Sequence, residues 1–173
     1  MPLNVEIKAR CHQQDKIKEI LENKKAAFKG VDHQIDTYFV VPNGRLKLRQ
    51  GSIENNLIYY DRPDQSGPKV SKISLYPCTR DSDQLHQTLS NALGIKIVVD
   101  KQRGIYFIDN VKFHLDNVKG LGTFVEIEAI DTDGSISMEQ LNEQCNYYLE
   151  LFGVLEEDLI HNSYSDLVAP NFS

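Results

Sequence analysis

Leu3-Asn4-Val5-Glu6-Ile7-Lys8-Ala9-Arg10 alternates without a break. Leu3, Val5, Ile7 and Ala9 fall on one face of an extended strand, and Asn4, Glu6, Lys8 and Arg10 on the other. The same habit recurs along the chain. Arg45, Lys47 and Arg49 share a face opposite Leu46 and Leu48. Lys101 and Arg103 share another. Lys112, His114 and Asp116 stand opposite Val111, Phe113 and Leu115, and Glu126 and Glu128 stand opposite Val125, Ile127 and Ala129. One such strand is ordinarily a solvated outer face. Five of them point to a barrel in which the charged faces turn inward and the apolar faces pack outward under helices.

A tunnel holding many Arg and Lys must hold an anion, because unpaired buried cations are costly. Arg offers a planar fork of donors that matches phosphate oxygens, and Lys adds a mobile point charge. Several such groups suit a polyphosphate better than a single phosphate. Carboxylates in the same cavity would repel that ligand unless a cation bridges them. Glu126 and Glu128, at i and i+2, aim two carboxylates at one place, as Mg²⁺ or Mn²⁺ requires.

The remaining elements are read from breakers and periodicity. Asp15–Lys29 is predicted as a helix that Gly30 stops, with Asp15 as its N-cap. Thr37–Val41 and Arg45–Gln50 form a hairpin around Pro42-Asn43-Gly44. Gly51–Asn56 is a polar loop, and Leu57–Arg62 a strand. Asp64–Pro68 is a turn, and Lys69–Tyr76 a further strand. Asp81–Leu93 is predicted as a helix. Ile95–Lys101, Arg103–Asp109, Val111–Leu115 and Thr123–Ile130 follow as strands. Ser137 opens a helix to about Phe152, with Gln140 completing a capping box. Leu159–Val168 holds a last short helical piece. The expected fold class is α+β: a single domain over 1–173, built on a closed or nearly closed antiparallel sheet.

These residues resemble the CYTH domain of the triphosphate tunnel metalloenzymes, closest to the CyaB-like class IV adenylate cyclase group. Val5-Glu6-Ile7-Lys8 is similar to the N-terminal ExExK strand. Further matches are Asp36-Thr37-Tyr38-Phe39, Gly44–Arg49, Lys101-Gln102-Arg103, Gly120–Glu128 and the tail Ser163–Leu167. The resemblance implies an eight-stranded antiparallel β-barrel with helices outside and a triphosphate and metal inside. It implies metal binding by Glu6, Glu126 and Glu128. It implies phosphate binding by Lys8, Lys47, Arg49, Arg62, Lys72, Lys101 and Arg103, and Arg45 joins them by sharing their face. Lys8 and Asp116 are the expected catalytic residues. One position departs from the pattern: Asn4 stands where the family has the first Glu, and brings no negative charge.

The resemblance implies a class IV adenylate cyclase-like enzyme that converts ATP to cyclic AMP and pyrophosphate with Mg²⁺ or Mn²⁺. Two alternatives stay open. One is a triphosphatase acting on thiamine triphosphate, inorganic triphosphate or a nucleoside triphosphate. The other is a non-catalytic nucleotide or polyphosphate binder. Tyr59 or Tyr60 could stack on a base or simply pack. His114 is expected to be structural or a phosphate donor. The 173 residues carry 19 Lys plus Arg against 25 Asp plus Glu, a net charge of −6, which argues against general nucleic-acid or membrane affinity. Cys11, Cys78 and Cys145 fit neither a disulfide framework nor a zinc ribbon and are expected to be buried thiols. The expected compartment is the cytoplasm. Barrels of this kind often pair, so a homodimer is a further expectation.

Overall fold

The computed structural model describes residues 3–61, 69–79 and 81–168. The strands are β1 (Leu3–Arg10), β2 (Ala27–Phe39), β3 (Arg45–Gln50), β4 (Asn55–Asp61), β5 (Lys69–Pro77), β6 (Ile95–Ile108), β7 (Val111–Val118), β8 (Gly122–Asp131) and β9 (Leu159–Ile160). The helices are α1 (Gln14–Asn23), α2 (Asp83–Leu93), α3 (Met138–Leu151) and α4 (Tyr164–Val168). Every strand pairing is antiparallel. The order runs β5-β4-β3-β2-β6-β7-β8-β1, and β1 pairs back onto β5, closing an eight-stranded barrel. At the seam β1 divides its free edge: Leu3–Glu6 pairs with β5, and Lys8–Ala9 with the two-residue β9. Among the described residues, closure leaves no long unpaired edge to aggregate.

Strand alternation decides what packs where. The outward residues Val5, Ile7, Ala9, Phe113, Leu115, Val125 and Ile127 are all at most 4% exposed. They pack against Ile17 and Leu21 of α1 and Leu141 and Cys145 of α3. Each large aliphatic or aromatic side chain buried there contributes on the order of 1.5–3 kcal/mol. Helix α3 begins as expected: the Ser137 hydroxyl accepts from Gln140 N, and Gln140 Oε1 accepts from Ser137 N. A second apolar cluster is formed by Tyr38, Tyr60, Val99, Val118, Phe124 and Tyr164. Tyr38, Val99, Val118 and Phe124 have the strand parity of the inward charges, so this cluster fills one end of the barrel.

Three expectations change. The helix predicted over Asp15–Lys29 ends at Asn23, and its N-cap is Gln13, not Asp15. Lys25 takes a left-handed φ of 59°, and from Ala27 the chain pairs with β6 instead. Asp32 and Gln34 are buried while Val31 and His33 are exposed, the period of a strand and not of a helix. Gly30 therefore stops no helix; at φ +119° it sits at the register shift in β2. The two strands expected over Ile95–Lys101 and Arg103–Asp109 are one 14-residue strand, β6, since Gln102 is no breaker. Cys11 and Cys145 are buried as expected, whereas Cys78 is only half-buried; all three are free thiols. The turn expected over Asp64–Pro68 lies outside the described residues. Among the described residues no helix is long and apolar enough to cross a membrane.

Candidate active site in the barrel interior

The inward faces of β1, β2, β3, β4, β5, β6, β7 and β8 surround a cavity of about 120 Å³, room for roughly four waters. Among the described residues, six cations reach it: Lys8, Lys47, Arg49, Lys101, Arg103 and Lys112. Glu6, Glu54, Glu126 and Glu128 line it too, with His114, while Ile58, Ile73 and Leu75 form an apolar wall on β4 and β5.

The cations are not free. Arg49 grips Asp36 with both arms, Nε to Oδ1 at 2.9 Å and Nη2 to Oδ2 at 2.8 Å. Lys101 Nζ donates to the same Oδ2 at 2.5 Å, and Lys47 Nζ lies 3.9 Å from it. Arg103 grips Asp116 in the same bidentate manner at 2.7 Å for each bond, and the Tyr164 hydroxyl donates to Asp116 Oδ2 at 2.7 Å. The Lys8 ammonium rests 3.7 Å from the centre of the Tyr164 ring, within the range of a cation–π contact. Glu54 accepts from Lys112 and from Gln34 and lies 3.6 Å from Arg49 Nη1.

A separate group gathers on β7 and β8. One ligating atom from each of His114, Glu126 and Glu128 lies within 4.8 Å of the others. His114 Nδ1 is 2.8 Å from Glu126 Oε1, and Lys8 Nζ is 3.5 Å from Glu126 Oε2. Asn4, the departure from the family pattern, donates from Nδ2 to Glu128 Oε1 at 2.8 Å. Two buried atoms of this group make no hydrogen bond to the described residues: Asn4 Oδ1 and His114 Nε2. The carboxylates of this cluster and the orphaned Asn4 Oδ1 fit a divalent cation, which needs lone pairs and supplies the missing positive charge.

Burial and charge shift these groups in a consistent way. Burial pushes the Asp36 carboxyl up, but Arg49, Lys101 and Lys47 outweigh it and hold it well below the usual carboxylate range. Burial, with smaller help from Arg49, lowers the Lys47 ammonium to about 7, its distant Asp36 pulling only weakly the other way. Lys101 is lowered by burial and by Arg49. Lys8 is lowered by burial, against the pull of Glu126 and Asp116. Burial and Arg103 also lower His114, which favours the neutral ring. A bound polyanion favours every ammonium form. Because Lys47 is partly deprotonated above pH 7 in the ligand-free barrel, triphosphate binding takes up protons there, and affinity falls as pH rises through 8 and beyond. Calorimetry in buffers of different ionisation heat will register this uptake at pH 8–9, and Lys47→Arg will reduce it by up to about one proton. Identical uptake in the variant would remove Lys47 from the binding site.

Most residues expected from the sequence meet in this cavity: Glu6, Lys8, Lys47, Arg49, Lys101, Arg103, Glu126 and Glu128. Asp116 is buried behind Arg103 with both oxygens occupied, so it positions that guanidinium. Arg45 turns to Asp166 of α4 at 2.6 Å instead of lining the cavity. The structure does not bring Lys72 to the cavity: Ile73 and Leu75 line it, and strand parity leaves Lys72 exposed on the outside. Arg62 lies outside the described residues. Four contributors escape the sequence reading. Asp36 and Tyr164 belong to matched motifs but carry no role there. Lys112 shows only as one of a mixed-sign face. Glu54 sits in the polar loop before β4. Asp32, twenty residues upstream, places that loop: its carboxylate accepts from Ser52 N at 2.7 Å, Ile53 N at 3.0 Å and Glu54 N at 2.9 Å. Gly51 makes the approach sterically feasible, since a Cβ there would stand 2.5 Å from Asp32 Oδ2.

Among the described residues, a closed antiparallel barrel turns six cations and a carboxylate–imidazole group inward. The sequence profile of the CYTH domain matches residues 2–164, and the chain belongs to the CYTH domain family. A Methanocaldococcus jannaschii protein named as a candidate adenylate cyclase is 27% identical over 95% of this chain and 98% of its own length. The solved structure of a candidate adenylate cyclase from Vibrio parahaemolyticus is 19% identical with a TM-score of 0.79, covering 96% of this chain and 98% of that one. A Hippeastrum structure, described as a candidate adenylyl cyclase with a dominant triphosphatase activity, is 11% identical with a TM-score of 0.63, covering 100% of this chain and 97% of that one.

Proposed function

We propose that this protein is a metal-dependent enzyme that draws the phosphate chain of an organic triphosphate into the barrel and promotes attack at the phosphorus nearest the organic group. On ATP the products are cyclic AMP and pyrophosphate. The observation that carries this reading is the layering of the site. Asp36, Asp116, Lys101 and Arg103 are 0–3% exposed, whereas Glu128 is half-buried and Lys112 and Glu54 keep 15% and 14% of their side chains accessible. A chain whose organic end stays at the more accessible side puts its two distal phosphates among the buried cations. Its first phosphorus then lies beside the half-buried Glu128.

Residue roles follow from that placement. Lys47, Arg49, Lys101 and Arg103 bind the distal phosphates and stabilise the charge that grows on leaving pyrophosphate. The 3′-oxygen forms a bond to the α-phosphorus, the bridging α–β bond breaks, and the hydroxyl proton passes to a base. Lys8, desolvated and beside Glu126, is placed to orient the nucleophile. Glu6, Glu126 and Glu128 would hold Mg²⁺ or Mn²⁺. Such a cation polarises phosphate oxygens and lowers the pKa of an attacking hydroxyl. Ile58, Ile73 and Leu75 offer an apolar wall for the organic part. The relative from M. jannaschii supports the cyclase reading by its name.

A second reading, hydrolysis of a triphosphate by water, is supported by the lowered ammonium of Lys8 and by the Hippeastrum neighbour. Incubation with ATP, inorganic triphosphate or thiamine triphosphate, with Mg²⁺ or Mn²⁺, separates the two. Cyclic AMP with pyrophosphate is the expected product. Orthophosphate without cyclic nucleotide would replace the cyclase by the triphosphatase. Heat stabilisation by triphosphate with no turnover would leave a binding protein.

A further inference from the structure

We propose that Glu54 sets the outer limit of the phosphate chain, so that the barrel takes a triphosphate, refuses a fourth phosphate and meets the organic group at this point. The inference rests on the triphosphate reading above, with the organic end at the accessible side of the cavity.

The first observation is where this carboxylate stands. Asp36 and Asp116 are 1% and 0% exposed and neutralise their cations from behind the cavity wall. Glu54 lines the cavity itself. It faces the most accessible of the six cations: Lys112 keeps 15% of its side chain exposed and donates to Glu54 Oε2. Arg49 spends Nε and Nη2 on Asp36, and its remaining arm, Nη1, lies 3.6 Å from Glu54 Oε1. A phosphate drawn this far out meets a cation that is already paired and the carboxylate that pairs it. Like charges brought together in a partly desolvated site are strongly unfavourable.

The second observation is that Glu54 is held in place. Gln34 Nε2 donates to its Oε1 at 2.8 Å and to Asp32 Oδ2 at 3.0 Å, and Gln34 is fully buried. Asp32 Oδ2 also accepts from the Glu54 amide at 2.9 Å. A flexible surface Glu would turn into solvent as an anion approached. This one is fastened by side chain and backbone together. A fixed repulsive group is how a site rejects a close relative of its ligand.

The third observation is the wall beside it. On β4, Asn56 stands opposite Arg49 and Ile58 opposite Lys47, and Leu75 of β5 pairs with Ile58. Leu75 lines the cavity yet is 51% exposed. At the accessible side the lining therefore offers aliphatic surface and a carboxylate, which suit an organic group better than another phosphate.

Calorimetric titration of the metal-free protein with ADP, ATP and adenosine 5′-tetraphosphate tests this. In the unaltered protein ATP binds at least about tenfold tighter than ADP, and the fourth phosphate adds nothing. Glu54→Gln keeps an acceptor for Gln34, removes the charge and releases Lys112. In that variant the tetraphosphate binds at least about tenfold tighter than ATP. A merely structural role would weaken the three nucleotides alike and leave their ratios unchanged. If the variant does not fold, the series in the unaltered protein decides. A fourth phosphate that tightens binding there by about tenfold or more, or unchanged ratios in Glu54→Gln, would overturn the role of Glu54 and leave the triphosphate reading standing. ADP bound as tightly as ATP, or no nucleotide bound with or without Mg²⁺, would overturn that reading instead.

Discussion

Asp36→Asn lowers the stability of the ligand-free protein by about 3–5 kcal/mol, and tripolyphosphate restores most of the loss. The first half follows from burial. Asp36 is 1% exposed and is the counter-charge shared by Arg49, Lys101 and Lys47. Lys47 and Lys101 can shed protons, but the Arg49 guanidinium cannot, and leaving that buried cation uncompensated costs about that much. At this chain length the melting temperature drops by roughly 10 °C. The second half follows from competition. In the unaltered protein a triphosphate must draw the cations away from Asp36, whereas in the variant they are waiting for an anion. The ligand-induced rise in melting temperature will therefore be larger in Asp36→Asn than in the unaltered chain. Equal rises would mean that the ligand never meets these three cations.

Glu126→Gln behaves in the opposite way, with little loss of stability and a large loss of turnover. Glu126 faces Lys8 and His114, and burial already lowers the pKa of both. When the carboxylate is neutralised, Lys8 can shed a proton and His114 is already held toward its neutral form, so no charge is stranded. Catalysis has no such escape. Weakening the hold on a cation that supplies several kcal/mol of transition-state stabilisation costs turnover about 10²–10³-fold. Initial rates with Mn²⁺, read beside a thermal melt, check both halves. A rate within twofold of the unaltered protein would remove Glu126 from the metal site.

These two carboxylates also mark where sequence alone succeeds and stops. Glu126 is legible because its strand alternates cleanly, so parity fixes the face and closure of the barrel fixes its direction. The cations of β3 and β6 are legible for the same reason. Lys72 shows the limit: its own strand offers apolar residues on the inward parity, so a lysine near the right place in the chain points the wrong way. Asp36 hides because a carboxylate in a run of Thr and Tyr has no pattern of its own. Its meaning comes from Arg49 and Lys101, 13 and 65 residues away. The helix expected over Asp15–Lys29 fails at Ala27 because β6 supplies a pairing edge that no local window contains. His114 Nε2 is a matter of what is missing around one atom, which only coordinates reveal.

The short connection between β3 and β4 carries a consequence for how this family member can vary. Surface loops ordinarily tolerate insertions and drift in sequence faster than the strands they join. This one is fastened by three amides to Asp32, admits no side chain at Gly51, and ends on the residue that meets Lys112 and Arg49. An added residue there would carry Glu54 out of the cavity. Its length is thus held nearly as tightly as strand register.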